Sequence, residues 1–209
     1  MSNPLAAAAA EVEQFCRKQN LPCCVIGGLA VQRWGEPRTT VDVDFTSLSG
    51  LGHEARLIRL FGDHFQLREE FTEDIARIGR VILFRASNGT PVDLSLAYSE
   101  YEKRVVERSS PFKYSRNTTI MICSADDLVV LKAFAARPRD MEDLRGVLVR
   151  QHGKLDWNYI TANLAQLGEN RNDMDVMHGL TQLRKDVDRI IRRIERDPTS
   201  PKTRARRSR

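Results

Sequence analysis

The sequence predicts an α/β (α+β) fold in which helices and strands interleave, followed by a helical C-terminal region. Three observations carry that expectation. A short apolar run, Cys23-Cys24-Val25-Ile26, ends at Gly27-Gly28 and leads through a helical stretch to an acid-bearing strand, Thr40-Val41-Asp42-Val43-Asp44-Phe45. Asn88-Gly89 separates two strand-like runs, a strong hairpin signal because both residues tolerate positive φ. From Met174 to Arg196, the residues Val176, Leu180, Leu183, Val187, Ile190, Ile191 and Ile194 recur at helical spacing, so one face of a long helix must be buried.

Taken in order, Leu5 to Gln19 reads as the first helix and Asn20-Leu21-Pro22 as the turn into the first strand. Leu29 to Trp34 is a helix closed by Gly35 and Pro37, and Arg38-Thr39-Thr40 returns the chain into the acidic strand. Leu57, Leu60 and Phe61, with Ile58 beside them, give a further helix its apolar stripe, broken at Gly62-Asp63. The stretch from Gln66 to Gly79 is ambiguous. Arg80–Ser87 and Thr90–Leu96 form the hairpin arms, and a two-residue loop would set Asp93 across from Phe84. Ser99 to Arg108 is helical with Pro111 after it, and Thr118–Cys123 is a β-branched strand. Ser124-Ala125-Asp126-Asp127 caps a helix whose inward residues are expected at Leu128, Leu131, Phe134 and Ala135, with Lys132 toward a flank. After Pro138 the helix restarts over Arg139–Val149, and Asp156 N-caps another that closes at Gly168.

The acidic strand holds the chemistry. Period-2 alternation places Asp42 and Asp44 on one face, with Val41, Val43 and Phe45 on the other, buried one. Two carboxylates about 7 Å apart along a strand repel each other and suit a hard divalent cation. Asp93, flanked by Val92 and Leu94, is an acid set into an otherwise core-like strand: either the wet face of a half-buried sheet or a third carboxylate of that site. Paired glycines at a helix start let backbone N–H groups approach a phosphate.

Gly27-Gly28, a spacer of thirteen residues and then Asp42-x-Asp44 resembles the signature of the polymerase-beta-like nucleotidyltransferase superfamily. The fuller pattern, with Arg38-x-Thr40 before the acids, is similar to the AbiE-type (AbiEii/AbiGii) toxin-like and minimal nucleotidyltransferases. Leu131-Lys132-Ala133 through Arg139-Asp140-Met141-Glu142-Asp143-Leu144 resembles the later helical motif of that group. The resemblance covers roughly Leu21 to Arg150. It implies a small mixed twisted sheet flanked by helices. The chain is expected to divide into a nucleotidyltransferase core over 1–123, a C-terminal helical region over 124–196 and, from its Pro, Ser and charge content, a disordered basic tail over 197–209. The resemblance further implies that Asp42, Asp44 and Asp93 hold Mg²⁺ or Mn²⁺. Gly27, Gly28, Arg38, Thr40 and Lys132 would contact the nucleoside triphosphate, with Asp140 as an accessory residue. Where relatives show Gly-Ser, Gly28 stands second here, so a hydroxyl contact to phosphate is absent while the backbone contact survives.

Transfer of a nucleoside monophosphate to an acceptor follows as the expected activity, RNA such as a tRNA 3′ end being favoured. The resemblance also implies a toxin role with a cognate antitoxin. The alternatives are nucleotidylation of a protein or small molecule, and a catalytically silent fold that binds RNA or a partner. The long C-terminal helix would cap its own domain, or contact an antitoxin or a second copy, leaving monomer and homodimer open.

Composition narrows the setting. The 209 residues are 41% hydrophobic and 29% charged, ordinary for a globular protein. No apolar run reaches the roughly 20 residues a bilayer demands, and the alanine-rich start lacks a basic region before it, so a cytoplasmic protein is expected. Cys16, Cys23, Cys24 and Cys123 and the four histidines show no metal-type spacing, which argues against zinc. Of the net charge of +5, Lys202, Arg204, Arg206, Arg207 and Arg209 supply five positive charges, so the chain before them is neutral overall. That tail suits non-specific phosphate contacts, or solvated charge at a terminus.

Overall fold

The computed structural model describes residues 3–168 and 174–196; the tail expected over 197–209 lies outside them. The chain divides into two compact units, one of residues up to Arg33 together with Pro37–Leu128, the other of Trp34–Glu36 together with the residues from Val129 onward.

The first unit holds α1 (Pro4–Lys18), β1 (Cys23–Val25), α2 (Gly27–Trp34), β2 (Val43–Leu48), α3 (Glu54–Gly62), β3 (Gln66–Leu67) and α4 (Glu73–Ile78). It continues through β4 (Val81–Arg85), β5 (Pro91–Ala97), α5 (Glu100–Glu107), β6 (Ser110–Ser115) and β7 (Thr118–Ile122). The strands form one mixed sheet in the order β3-β4-β5-β2-β1-β7-β6. β2 runs parallel to β5 and β1 parallel to β7, while β1–β2, β3–β4, β4–β5 and β6–β7 are antiparallel. Cys23 and Cys24 point to opposite faces of this sheet. The Cys24 thiol reaches the Val105 carbonyl of α5 at 3.8 Å, whereas Cys23 lies beside the Cys16 thiol of α1, so α1 and α5 cover opposite sides. Burial pushes the Cys24 thiol up to about 12, and all four cysteines are free, as small apolar groups of a core should be. An aromatic cluster closes the α1 side: Phe61 meets Phe15 edge-on at 5.2 Å and Phe84 at 5.3 Å, and Phe65 stacks on Phe84 at 4.7 Å.

Three expectations change here. The hairpin loop has three residues, since the Ala86 amide donates to Thr90 O at 2.9 Å and the Gly89 amide to Ala86 O at 2.8 Å, with Gly89 at φ +81. Asp93 therefore faces Leu83, and Phe84 faces Val92. The extra residue keeps Phe84 and Val92 on the buried face; a two-residue loop would have set Phe84 beside the acid. β6 was missed because Pro111 reads as a breaker. An edge strand needs no ladder donor at that position, and β6 is the edge. The ambiguous stretch after Gln66 folds as the two-residue β3 and the one-and-a-half turns of α4, too short for a periodic signal.

α6 (Ala125–Ala135) runs from the first unit into the second, where α7 (Pro138–Arg150), α8 (Trp157–Gly168) and α9 (Met174–Arg196) follow. The Ser124 hydroxyl accepts from the Asp127 amide at 3.1 Å and donates to the Asp127 carboxylate at 2.5 Å, forming the expected cap. Leu128, Val129, Val130 and Ala133 are buried, whereas Leu131 and Phe134 are half-buried and Ala135 is exposed. The inward face predicted for α6 is thus corrected: the helix is covered on most sides, which erases the period that would have marked one face. Asp156 caps α8 by accepting from the Tyr159 amide at 3.0 Å. α9 packs on α7 and α8 through Leu180, Leu183 and Val187, while Ile190 and Ile194 stay 45% and 48% exposed. Among the described residues no helix is long and apolar enough to cross a membrane.

Candidate active site

The chain leaves β1 at a corner that only glycine can make. The Ile26 amide still donates to Asp44 O at 2.9 Å, and the next residue, Gly27, adopts φ +58 to start α2 at once. A Cβ on Gly27 would overlap the Asp44 carboxylate, and one on Gly28 would come within 2.5 Å of Thr40 Oγ1. The first turn of α2 lies directly against the acid, and the Gly28 amide donates to Asp44 Oδ2 at 3.3 Å. The free N–H groups and positive dipole end of this turn point where negative charge is already held.

Strand pairing then assembles the acids. Asp44 on β2 and Asp93 on β5 are direct partners in the parallel ladder. Asp42 precedes β2 and accepts from the Thr40 hydroxyl at 2.8 Å. The strand begins three residues later than expected, at Val43 rather than Thr40, and Val41 is 72% exposed rather than buried. An apolar residue just outside the ladder has no neighbour to cover it.

Asp93 has a partner the sequence did not suggest. Arg68 follows β3, which pairs with β4, and its Nη1 meets Asp93 Oδ1 at 2.5 Å while its Nε meets Glu70 at 2.7 Å. Burial raises Asp93 above the usual carboxylate range; the Arg68 charge opposes that shift and the nearby Asp42 charge adds to it. Arg68 itself is raised, its burial being outweighed by Glu70 and Asp93. The only signal for Arg68 was its place in an unassigned stretch, with Glu69 and Glu70 beside it.

The donor set is three carboxylates, hard oxygens that fit Mg²⁺ or Mn²⁺ chemically. As the side chains stand, Asp42 is turned to a hydroxyl, Asp44 to an amide and Asp93 to a guanidinium. Among the described residues no group of three or more His, Cys, Asp or Glu converges on one metal position. Arg38 donates to Thr39 O at 3.2 Å, and its own carbonyl accepts from Gln32 at 3.2 Å.

Lys132 and Asp140 lie in the second unit. Lys132 is 9% exposed, not a surface lysine on a flank, and its Nζ meets Asp140 Oδ1 at 2.6 Å and Asp143 Oδ2 at 2.8 Å. Asp140 Oδ2 is buried with no hydrogen-bond partner.

The fold is similar to the solution structure of the antibiotic-resistance factor ANT(2″)-Ia, with a TM-score of 0.53 at 13% identity, covering 85% of this chain and 98% of that one. An antigenic nucleotidyltransferase-like protein from Paracoccidioides brasiliensis is 16% identical over 86% of this chain and 93% of that chain, with a TM-score of 0.49. The lincomycin-bound lincosamide antibiotic adenylyltransferase LnuA is 10% identical over 65% of this chain and 91% of that chain, with a TM-score of 0.43. At 13% identity the likeness to ANT(2″)-Ia speaks to fold alone. A comparison with curated proteins finds no match. Residues 3–194 match the family described as "Nucleotidyltransferase of unknown function (DUF6036)", and the chain belongs to that family.

Proposed function

We propose that this protein transfers a nucleoside monophosphate from a nucleoside triphosphate to an acceptor hydroxyl, with an RNA 3′ end such as that of tRNA as the favoured acceptor. One observation carries the reading: Asp44 and Asp93 are direct partners on adjacent parallel strands, and Asp44 abuts the glycine corner where α2 begins. In the reaction the acceptor oxygen bonds to the α-phosphorus, the bond to the bridging oxygen breaks, pyrophosphate leaves and the hydroxyl proton is lost to a carboxylate or water. Gly27 and Gly28 place backbone donors on the triphosphate. Thr40 orients Asp42, and Arg38 neutralises charge on the departing pyrophosphate. Asp42, Asp44 and Asp93 would hold Mg²⁺ or Mn²⁺, which when bound neutralises phosphate charge and makes the acceptor hydroxyl more acidic. Lys132 as a phosphate-binding residue, Asp140 as its accessory and a toxin role with a cognate antitoxin enter this proposal on the AbiE-type resemblance of the motifs alone.

A second reading, a catalytically silent fold that binds RNA or a partner, draws support from Asp93 being already paired with Arg68. The deciding experiment incubates purified protein with each α-labelled nucleoside triphosphate, Mg²⁺ and total RNA or cell extract, with Asp42→Ala/Asp44→Ala as control. Label that moves onto RNA and is lost in the control establishes the transferase and its base. Label on protein or a small molecule keeps the enzyme and replaces the acceptor. No transfer with any nucleotide, together with no Mg²⁺-dependent thermal shift on adding nucleotide, sinks the enzymatic reading.

A further inference from the structure

We infer that the face of α9 opposite its buried stripe is a docking surface for the phosphodiester backbone of single-stranded RNA. The inference rests on the RNA-acceptor reading above and names the surface that would hold that acceptor. Leu180, Leu183 and Val187 turn one side of α9 into the second unit. On the other side, at 100° per residue, Lys185, Arg189, Arg192, Arg193 and Arg196 fall within an arc of about 100° and extend along about 16 Å of helix. All five are exposed, and they line one shallow depression of about 510 Å³. Asp188 is the single acid in its lining, and its carboxylate is engaged by His152 Nε2 at 3.1 Å. Asp186 accepts from Gln182 Nε2 at 3.2 Å and meets Arg189 at 3.4 Å.

Four of the five cations are guanidiniums, planar forks that match phosphate oxygens two at a time. A linear row of them fits a polyanion with repeated phosphates better than the scattered carboxylates of a protein surface. A lipid surface fits poorly, because the central apolar residues that a membrane helix would insert are already buried against α7 and α8. In sequence the row leads toward Lys202, Arg204, Arg206, Arg207 and Arg209, five more cations without an acid among them.

The test uses the full chain, fluorescein-labelled oligouridylate and fluorescence anisotropy over a salt titration, without nucleotide. Lys185→Gln/Arg189→Gln/Arg193→Gln/Arg196→Gln is compared with Arg56→Gln/Arg59→Gln/Arg77→Gln/Lys103→Gln, which removes the same charge from exposed positions of the first unit. The α9 variant is expected to weaken binding more than about tenfold and to lower the slope of log affinity against log salt by about 3, while the control shifts affinity by less than about threefold. Failure of the wild type to bind, or equal weakening in both variants, overturns the inference. Retention on phosphatidylserine vesicles or polyglutamate in place of RNA overturns it as well. Should the α9 variant not fold, amide hydrogen exchange of the wild type decides: oligouridylate must slow exchange in α9, and protection confined elsewhere refutes the surface. Nucleotide transfer to a non-RNA acceptor with no RNA binding removes this inference and leaves the transferase. RNA binding lost only in the α9 variant, with no transferase activity, does the reverse.

Discussion

Gly27 shows how much of the site a single residue carries. Its positive φ and the lack of room before the Asp44 carboxylate act independently, so Gly27→Ala is expected to cost about 1–3 kcal/mol from backbone strain alone, plus the displacement of Asp44. Adding Asp44→Ala removes the two nearest atoms of the obstacle, leaving its Cβ at 2.7 Å, but does not remove the strain. Urea unfolding should therefore show the double variant to be less destabilised than the sum of the two single ones; strict additivity would mean that Asp44 does not occupy that space in solution. Arg68 makes a second residue-scale case. Its guanidinium sits where a cation is wanted beside Asp93, so Arg68→Ala is expected to tighten Mn²⁺ binding severalfold in direct titration followed by electron paramagnetic resonance. Unchanged or weaker Mn²⁺ binding would mean that Arg68 supports the carboxylate rather than standing in for the metal.

Between elements, the ion pairs decide which packing is obligatory. The carboxylate of Glu54 on α3 is bonded by the guanidinium of Arg80, which also donates to Leu96 O and Gly50 O at 2.8 Å and stands 4.7 Å over the Tyr98 ring. Its own backbone amide, then Arg80, hold Glu54 below the ordinary carboxylate range. A carboxylate with a depressed folded-state value stabilises above its unfolded value and loses that contribution as pH falls through the folded one. Glu54→Gln should accordingly lower the melting temperature near neutral pH, with the gap to wild type closing in acid. A gap that persists in acid would trace the effect to packing. Lys132 with Asp140 and Asp143 predicts a harsher outcome: Lys132→Met strands two buried carboxylates and is expected to cost about 3–5 kcal/mol. Lys132→Met/Asp140→Asn/Asp143→Asn should regain most of that in urea unfolding. If transfer activity returns with stability, the cluster serves the fold; if only stability returns, Lys132 has a part in the chemistry. These pairs also mark what a sequence conveys. The Gly-Gly corner, Asp44, Asp93 and the long α9 were legible because each follows from local chemistry or period. Arg68 and the burial of Lys132 were not, since each depends on which segments the tertiary fold brings together. The hairpin register missed by one residue because Asn-Gly suits both a two-residue loop and the last positions of a three-residue one.

On the scale of the whole molecule, the two compact units carry different halves of the proposed activity. The acids and the glycine corner belong to the first, and the basic row of α9 belongs to the second. A nucleotide that binds only the folded protein stabilises it by about 2.7 kcal/mol at about 100 times its dissociation constant. Amide hydrogen exchange should place that gain. MgATP, or the nucleoside triphosphate found active, is expected to slow exchange around Gly27–Gly28 and along β2 and β5 while leaving α9 unchanged, and Asp42→Ala/Asp44→Ala should abolish the effect. Oligouridylate should do the converse, protecting α9 and sparing the glycine corner. Protection by nucleotide that survives loss of both acids would place the triphosphate elsewhere. Protection of both regions by either ligand alone would show that the units are coupled, one ligand ordering the surface that the other needs.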